Sequence, residues 1–511
     1  MRRGEKNMKK MKKVLAMLLS FIMMMSMAMT TFAASGTNVT LTVTNIQKGQ
    51  TVYLYKLLNV VKTSETVGSE TYDYSLDTNN GTINNALKTV LKIESAQMTA
   101  EDVYNSVKSM DKEQLKGLAR DLVSQIGVGN ATSRMQANGT TAVFDSLPEG
   151  YYLIYSPNTV SAIKTVVNGA KNEVAMKSAL PTVDKDSDVT PDTGAVVGQV
   201  ITYTVKTTIP NISGFDRDKY KFTLTDKLSK GLDFVQNLNG KVDVTYSIAG
   251  ASPEVKGTYE GTLGGENNRT MTVDLKNVVI NNQQHEGKEL VLTYQAKLNK
   301  DAVVENNNEA KIEYSNDPEN AQSTTPTVPD KEFTATYELK IKKIASDTKN
   351  YLAGAVFELH EGTAEGTPVK VEGDNGKYVY DEDQDGSTIE MTTVADQLVG
   401  GAYNLSINGL KAGTYYLVEK TAPDGYNKIE PIKVVITPEN AEEGITAGTY
   451  KVKVGEKGEE APNNIIEIVN KKGTLLPETG GMGTVIFTVV AIVLILGVVA
   501  SFVFSRRRDR R

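Results

Sequence analysis

The segment 413–419 reads Gly413-Thr414-Tyr415-Tyr416-Leu417-Val418-Glu419. A short run of aromatic and β-branched residues that begins at a glycine is typical of a β-strand. The segment 409–417, which contains the start of this run, echoes residues 145–153, where two tyrosines and a leucine again follow a glycine. The repetition predicts that the regions around the two segments are variants of one β-sandwich.

Short runs of the same kind recur along the chain, and turn-forming residues separate them. The predicted strands are 39–43, 51–55, 141–144, 151–155, 199–205, 220–226, 290–294, 310–314, 337–341, 355–359, 413–419 and 465–469. This pattern predicts a mainly β protein made of tandem β-sandwich domains. The stretch 323–329 is rich in threonine and proline and is predicted to be a linker between two of these domains.

The first domain contains a segment with a different period, between about residues 82 and 126. Apolar residues recur on one face of a predicted helix at Leu115, Leu118, Ala119, Leu122 and Ile126. Two short segments, 99–102 and 111–114, have the composition of a helix N-terminus with a capping box. The sequence therefore predicts a helical insert packed on a β-domain.

Both ends of the chain carry targeting patterns. Basic residues precede an apolar run at 14–28 and small residues at 31–33, which predicts a secretory signal peptide over 1–33. Near the other end, an uncharged run at 484–504 is long enough to cross the bilayer core as one helix. The arginines at 506–508 place the preceding chain outside the cell. Taken alone, this run also fits a permanent C-terminal membrane anchor.

The composition excludes several classes of function. The chain has 511 residues, no cysteine, two histidines and a formal net charge of −6. Without the basic segments at its two ends the charge is more negative, so nucleic acid is not an expected partner. The lack of cysteine excludes disulfides, thiol nucleophiles and cysteine metal sites. His285 and His360 lie in polar, loop-like contexts typical of surface histidines, so no Ser-His-Asp site, metal or cofactor is expected.

Several phrases of the sequence resemble one family of surface proteins. With the apolar run and basic tail behind it, Leu476-Pro477-Glu478-Thr479-Gly480 resembles the cell-wall sorting signal of Gram-positive bacteria. The phrases 352–359 and 416–426 are similar to the B-type immunoglobulin-like domain of collagen adhesins and pilins, and the second resembles the pilin E-box. The phrases 222–232 and 306–310 resemble the fimbrial domain that forms an internal isopeptide bond. Together they resemble a sortase-assembled backbone (major shaft) pilin.

The resemblance implies tandem immunoglobulin-like domains and a fibre at the cell surface. Its implied segments are a signal peptide (1–33), a pilin β-domain with a helical insert (34–178), an isopeptide-forming fimbrial β-sandwich (179–328), a B-type isopeptide domain (329–472) and the sorting signal with its transmembrane helix (473–511). A sortase would cleave between Thr479 and Gly480 and join Thr479 to a lysine of the next identical subunit. Peptidoglycan would hold the fibre, and tip and base pilins are further candidate partners.

The resemblance also implies two internal isopeptide bonds. The assigned sets, in the order lysine, acid and asparagine, are Lys185, Asp226 and Asn308 in the middle domain and Lys343, Glu419 and Asn470 in the third. Each set runs from the first strand of its domain to the last. The chemistry requires a buried lysine that loses its proton, an amide held against it, and a buried protonated carboxyl group that polarises the amide. The alternative is six ordinary surface residues on edge strands.

The first domain departs from this pattern. Tyr155 and Ser156 stand where the third domain has Glu419, and neither side chain can act as the buried acid. No internal isopeptide bond is therefore expected in the first domain. If one exists there, Lys56 is the candidate lysine.

The resemblance further implies a linking lysine at the junction of the first and middle domains. Lys177 occupies that place, although its segment lacks the aromatic residue and the proline of the fuller family motif. Lys164 and Lys171 are the alternatives. The competing interpretation of the whole chain is a wall-anchored adhesin that is displayed singly and for which Lys177 is dispensable. No activity on an external substrate is expected.

Overall fold

The computed structural model describes residues 38–63, 71–190, 193–381, 387–439 and 449–473. The predicted signal peptide, the sorting motif 476–480 and the apolar run 484–504 lie outside the described residues. Within the described ranges, no helix is long and apolar enough to cross a membrane.

The described chain is mainly β and divides into two compact units. One unit contains residues 38–188, 200–297 and 306–333, and the other contains 189–199, 298–305 and 334–473. We call 38–178 the first domain, 179–333 the middle domain and 334–473 the third domain.

The described part of the first domain forms ten strands, three helices and a short 3-10 turn. The strands are β1 (Asn38–Thr44), β2 (Thr51–Lys62), β3 (Tyr72–Ser75), β4 (Ser133–Gln136), β5 (Thr141–Pro148), β6 (Gly150–Tyr155), β7 (Thr159–Val160), β8 (Ala162–Val166), β9 (Glu173–Ala175) and β10 (Lys177–Ser178). The helices are α1 (Gly81–Val90), α2 (Ala100–Val107) and α3 (Lys112–Ile126). One sheet has the order β5-β1-β9, a second has the order β3-β2-β6-β8 with β4 added to β2, and β10 pairs with β7.

The central strands β2 and β6 are buried on both faces. On β2, Val52 and Leu54 belong to the core between the two sheets, whereas Tyr53 and Tyr55 belong to a second core formed with the helices. A strand that is covered on both faces needs a continuous apolar run, and β6 is buried along its whole length. The helical insert is therefore a third layer on the sandwich.

The predicted capping boxes are both present. Thr99 and Asp102 bond each other's backbone N–H at the start of α2, and Asp111 and Gln114 do the same at the start of α3. The predicted apolar face of α3 is buried at Leu118, Ala119, Leu122 and Ile126. The helical insert is thus confirmed.

The described part of the middle domain is a sandwich whose strands form one continuous hydrogen-bonded path. Its strands are β11 (Asp184–Ser187), β12 (Val200–Thr208), β13 (Phe222–Leu228), β14 (Leu232–Phe234), β15 (Val242–Ile248), β16 (Lys256–Gly264), β17 (Thr270–Asp274), β18 (Glu289–Leu298), β19 (Glu305–Ser315), β20 (Thr324–Pro326) and β21 (Asp330–Ala335), with one short helix, α4 (Lys276–Asn281). The path runs β11-β12-β18-β15-β16-β17-β13-β19-β20, with β14 added to β18 and β21 added to β19.

The predicted linker 323–329 is wrong. Its first half forms β20, which pairs with β19, and Thr327 exchanges hydrogen bonds with the backbone of Ile312. Threonine and proline suit a solvated linker, but threonine also suits an edge strand, and composition does not distinguish the two. As a result, Asn308 on β19 does not lie on the last strand of its domain, because β20 and β21 follow it.

The described part of the third domain is a sandwich of two sheets. Its strands are β22 (Tyr337–Ala345), β23 (Val356–Glu361), β24 (Val371–Asp374), β25 (Lys377–Tyr380), β26 (Met391–Thr392), β27 (Leu405–Leu410), β28 (Gly413–Thr421), β29 (Ile432–Pro438), β30 (Tyr450–Val454), β31 (Glu459–Glu460) and β32 (Ile465–Asn470). The sheet orders are β24-β25-β27-β22-β32 and β26-β23-β28-β29-β30-β31.

The first and third domains share their strand pairing. In the first, β1 pairs with β5 antiparallel and with β9 parallel; in the third, β22 pairs with β27 antiparallel and with β32 parallel. Tyr152, the second tyrosine of one echoed phrase, and Tyr415, the first tyrosine of the other, each donate a hydrogen bond to the carbonyl four residues earlier. The two domains are therefore variants of one sandwich, as the repeated sequence predicts.

The expected surface position of His360 is wrong. His360 lies on β23, is 8% exposed, and its Nε2 lies 2.8 Å from a carboxylate oxygen of Glu358. A polar sequence context suggested a loop, but the alternating strand buries this side chain. His285 is half-buried in a short 3-10 turn (Gln283–His285).

Candidate functional site

The structure brings Lys185, Asp226 and Asn308 together inside the middle domain. Lys185 is on β11, Asp226 on β13 and Asn308 on β19, and each occupies an inward-facing position in the alternation of its strand. Lys185 Nζ lies 2.7 Å from Asp226 Oδ2, and neither side chain is accessible to solvent. Asp226 pairs with Ala310, two positions from Asn308, so these two side chains are diagonal neighbours on adjacent strands.

A tyrosine hydroxyl occupies the centre of this group. Tyr294, on the inward face of β18, contacts Lys185 Nζ and Asp226 Oδ2 with its hydroxyl group. Asn308 Nδ2 donates a hydrogen bond to the same oxygen at 3.2 Å. The ring stacks on Tyr203, and Lys185 Nζ lies 4.8 Å from the centre of the Tyr203 ring. Two aromatic rings, the Asp226 carboxyl group and the Tyr294 hydroxyl thus surround the amine.

Burial favours the neutral forms of the lysine and the acid. Loss of solvent lowers the pKa of Lys185, against the opposing effect of the Asp226 charge. Loss of solvent likewise raises the pKa of Asp226, although Lys185 and the Tyr294 hydrogen bond act in the other direction. A neutral amine beside a carboxylic acid is the combination that attack on an amide requires.

The third domain holds a second group of the same composition. Lys343 and Asn470 lie on the adjacent parallel strands β22 and β32, where Lys343 pairs with Ile468 and is therefore two positions from Asn470. Glu419 reaches them from β28 in the facing sheet. All three side chains are completely buried.

Glu419 bridges the two nitrogen atoms of this second group. Its Oε1 lies 2.8 Å from Lys343 Nζ and accepts a hydrogen bond from Asn470 Nδ2 at 3.0 Å. Its Oε2 accepts the backbone N–H of Ile429 at 2.8 Å, which fixes the carboxyl group. The Lys343 amine also contacts the amide oxygen of Asn470 and lies 5.1 Å from the centre of the Phe357 ring. Burial lowers the pKa of Lys343.

The first domain has a different set of residues at the equivalent positions. Leu41 pairs with Phe144 as Leu339 pairs with Ile407, and this shared register extends along the neighbouring strands. Extending these registers past the ends of β1 and β9 assigns Asn45 and Ser178 to the positions of Lys343 and Asn470, and Ser156 directly follows β6. Ser156 is buried, and its hydroxyl donates to the backbone carbonyl of Thr51. Lys56 is half-buried on β2, away from these positions.

Lys177 is exposed at the edge of the first domain. It begins β10 and pairs with Val160 of β7. The first turn of α3 lies beside it, with Lys112 within contact of its side chain and Lys116 and Glu113 close enough to act on its charge. Partial burial and the two neighbouring lysines lower the pKa of Lys177.

The alternative lysines lie in different surroundings. Lys171 forms an exposed ion pair with Glu173 at 2.8 Å, which raises the pKa of Lys171. Lys164 is half-buried within β8. Thr479 and the rest of the sorting motif lie outside the described residues, so the structure does not bear on their geometry.

Sequence reasoning missed Tyr294 and Lys112. Tyr294 falls within a predicted strand, and its inward-facing position is a signal, because a buried tyrosine hydroxyl usually has a polar partner. The contact between Lys112 and Lys177 joins two segments that are distant in sequence and has no local signal.

Family models match three separate parts of the chain. Residues 197–318 match a Gram-positive pilin backbone subunit 2, Cna-B-like domain, and residues 337–451 match a prealbumin-like fold domain, SpaA. Residues 468–509 match the LPXTG cell wall anchor motif. The chain belongs to the Gram-positive backbone pilins. The pilin is anchored to the cell wall and belongs to a surface pilus.

The pilin is also similar to individual proteins. The trypsin-resistant surface T6 protein of Streptococcus pyogenes is 22% identical over 383 residues, which cover 65% of the pilin and 70% of that protein. The solved T6 backbone pilin of the same organism is 15% identical, and the match covers 86% of the pilin described here and 99% of the T6 chain, with a TM-score of 0.43. The solved major pilin SpaA of Corynebacterium diphtheriae is 17% identical, and the match covers 85% of the pilin described here and 100% of the SpaA chain, with a TM-score of 0.40.

Proposed function

We propose that this pilin is the shaft subunit of a covalent fibre, and that each subunit cross-links itself in its middle and third domains. The observation that carries the proposal is the presence of two buried groups, each with a lysine, an acid and an asparagine. In the third domain the lysine amine contacts both the carboxyl group and the asparagine amide. In the middle domain it contacts the carboxyl group and the Tyr294 hydroxyl, which accepts a hydrogen bond from the asparagine amide. A buried lysine costs free energy unless it is compensated, and two such groups with the same three residue types suggest a shared chemical task.

The bond-forming reaction is a transamidation. The neutral amine of Lys343 attacks Cγ of Asn470, the bond between Nζ and Cγ forms, and the bond between Cγ and Nδ2 breaks. One proton passes from Nζ to the departing nitrogen, so that ammonia leaves and an amide remains. Glu419 suits the transfer of this proton, because one of its oxygens lies within hydrogen-bond distance of both nitrogens. The same balance applies to Lys185 and Asn308 with Asp226 as the acid.

Proximity accounts for much of the rate of these reactions. The fold holds amine and amide in one dry pocket, which replaces a bimolecular encounter with an intramolecular one. The reaction takes place once for each group and changes no external molecule. The acids are therefore single-turnover groups, and the pilin is a structural protein.

Polymerisation requires an exposed amine, and Lys177 has the most suitable surroundings of the three candidates. Its lowered pKa increases the fraction of neutral, nucleophilic amine, whereas Glu173 keeps Lys171 protonated. In the proposed reaction, Thr479 of one subunit is held by a sortase as a thioester and passes to Lys177 of the next subunit. The head-to-tail join generates an open fibre.

The path of tension accounts for the distribution of the internal bonds. If load enters a subunit at Lys177 and leaves at Thr479, it passes through the middle and third domains and bypasses residues 38–176. The two domains on this path have the lysine, acid and asparagine groups. The first domain, which carries no load in this scheme, has Tyr155 and Ser156 where the third domain has its acid.

Two measurements test the proposal. Immunoblots of cell-wall extracts should show a ladder of SDS-resistant species, and that ladder should vanish in Lys177→Ala. Mass spectrometry of the secreted chain should show a deficit of one ammonia for each internal bond, two in total. A pilin displayed singly as an adhesin would give no ladder, and a chain of full theoretical mass would refute the internal bonds.

A further inference from the structure

We propose that Tyr294 is a catalytic residue of the middle-domain cross-link and passes a proton from the Lys185 amine to the leaving nitrogen of Asn308. This inference rests on the proposed internal bond between those two residues. Its basis is the position of one hydroxyl group in contact with the nucleophile, the acid and the leaving group.

The contacts of the Tyr294 hydroxyl match the needs of the proton transfer. Asn308 Nδ2, the atom that departs as ammonia, lies 3.2 Å from the phenolic oxygen. Lys185 Nζ, the atom that must lose a proton, contacts the same oxygen. In the proposed step the phenol donates its proton to Nδ2 while it receives one from Nζ, directly or through Asp226. The tyrosine ends unchanged, and the released molecule is ammonia.

The phenol is held in its protonated form. Burial, followed by the neighbouring Asp226 charge, raises the pKa of Tyr294 well above its ordinary value. A hydroxyl in this state donates and accepts hydrogen bonds at once, as a proton relay requires. Its ring is fixed between Tyr203 and Phe234 at centroid distances of 5.9 and 6.1 Å.

The described part of the third domain has no phenol at the corresponding place. There, the longer Glu419 touches both nitrogens through one oxygen, and the backbone N–H of Ile429 holds its other oxygen. In the middle domain the acid is the shorter Asp226, which interacts with both Lys185 and Asn308, and the Tyr294 hydroxyl contacts the same two side chains. The aromatic ring beside Lys343 is Phe357, which has no hydroxyl. The two sites thus divide the same tasks differently.

The test uses the full-length chain in a Gram-positive host that lacks sortases. Pulse-labelled chains are digested at intervals, and mass spectrometry follows the branched peptides that contain Lys185 with Asn308 and Lys343 with Asn470. In Tyr294→Phe, we expect the first branched peptide to form on the order of 10²-fold more slowly, the typical loss for one acid–base group. The second should form at the wild-type rate in the same molecules. Tyr314→Phe, which removes another buried phenol from β19, is the matched control and should change neither rate.

The possible results separate the claims. Formation of the Lys185–Asn308 peptide at the wild-type rate in Tyr294→Phe would overturn the role of Tyr294 and leave the proposed function standing. Absence of both branched peptides from the wild-type chain would overturn the proposed function itself. Asn308→Ala serves as a reference that lacks the bond. If limited proteolysis cleaves the middle domain of Tyr294→Phe more readily than that of Asn308→Ala, the defect is one of packing and the catalytic role is refuted.

Discussion

Replacing Glu419 by glutamine should prevent the proposed third-domain cross-link and lower the stability of that domain alone. Glutamine has the shape of glutamate but cannot take up and release the proton at these two nitrogens. The lost bond joins residues that are 127 positions apart. On the chain-entropy model, opening a loop of this length costs about 5 kcal/mol of the free energy of unfolding. For a domain of this size, that loss corresponds to a melting temperature lower by roughly 15–20 °C.

Calorimetry and intact-mass measurement on the secreted chain test this prediction together. The mass deficit should fall by one ammonia, the third-domain transition should move down, and the middle-domain transition should stay in place. Glu467→Gln is the matched control, because Glu467 is an exposed acid on β32 paired with Lys342 at 2.9 Å, and a surface pair contributes little. If Glu419→Gln keeps the full ammonia deficit, Glu419 is not required for the cross-link. If the deficit falls by one ammonia and the third-domain transition does not move, the cross-link does not stabilise that domain.

Three further predictions concern the first domain and its contact with the middle domain. Lys177→Ala should abolish the high-mass ladder on immunoblots, whereas Lys171→Ala should leave it intact; a ladder in Lys177→Ala would move the linkage to another lysine. Glu286 is almost completely buried, and burial raises its pKa from 4.5 to about 7. The stability that the folded protein gains from the protonated carboxyl group is therefore fully present below pH 4.5 and is lost as the pH rises through about 7. In urea unfolding, Glu286→Gln should therefore be more stable than the wild type by up to about 3 kcal/mol at pH 8 and equal to it at pH 4. Equal stability of the two proteins at both pH values would contradict the pKa shift. Asp111→Ala removes the cap of α3 and should cost the first domain about 1 kcal/mol in the same assay, and an unchanged unfolding midpoint would show that the cap is dispensable.

The strands and the helical insert were predictable because their signals are local. Alternation along β12, β13 and β18 appears directly in the sequence, and the capping boxes at Thr99 and Asp111 need only four residues each. The candidate cross-link residues had a different source. The family resemblance assigned them, and the structure places each at an inward-facing position of its strand.

Features that depend on contacts between distant segments were not predictable. Tyr294 looks like an ordinary core residue, and only the folded sheets bring its hydroxyl to Lys185. The strand at 324–326 is stabilised by β19, and its composition also fits a linker. His360 becomes buried because β23 is covered, which its polar sequence neighbours do not indicate.

In the proposed fibre, subunits are joined through Lys177 and Thr479 into a covalent shaft. The most direct test is mass spectrometry of proteolytic fragments from high-mass polymers that are purified from cell walls. We expect a branched peptide in which the carbonyl of Thr479 from one subunit is bonded to the side-chain nitrogen of Lys177 from another. Recovery of Thr479 only on peptidoglycan, with every Lys177 unmodified, would contradict it.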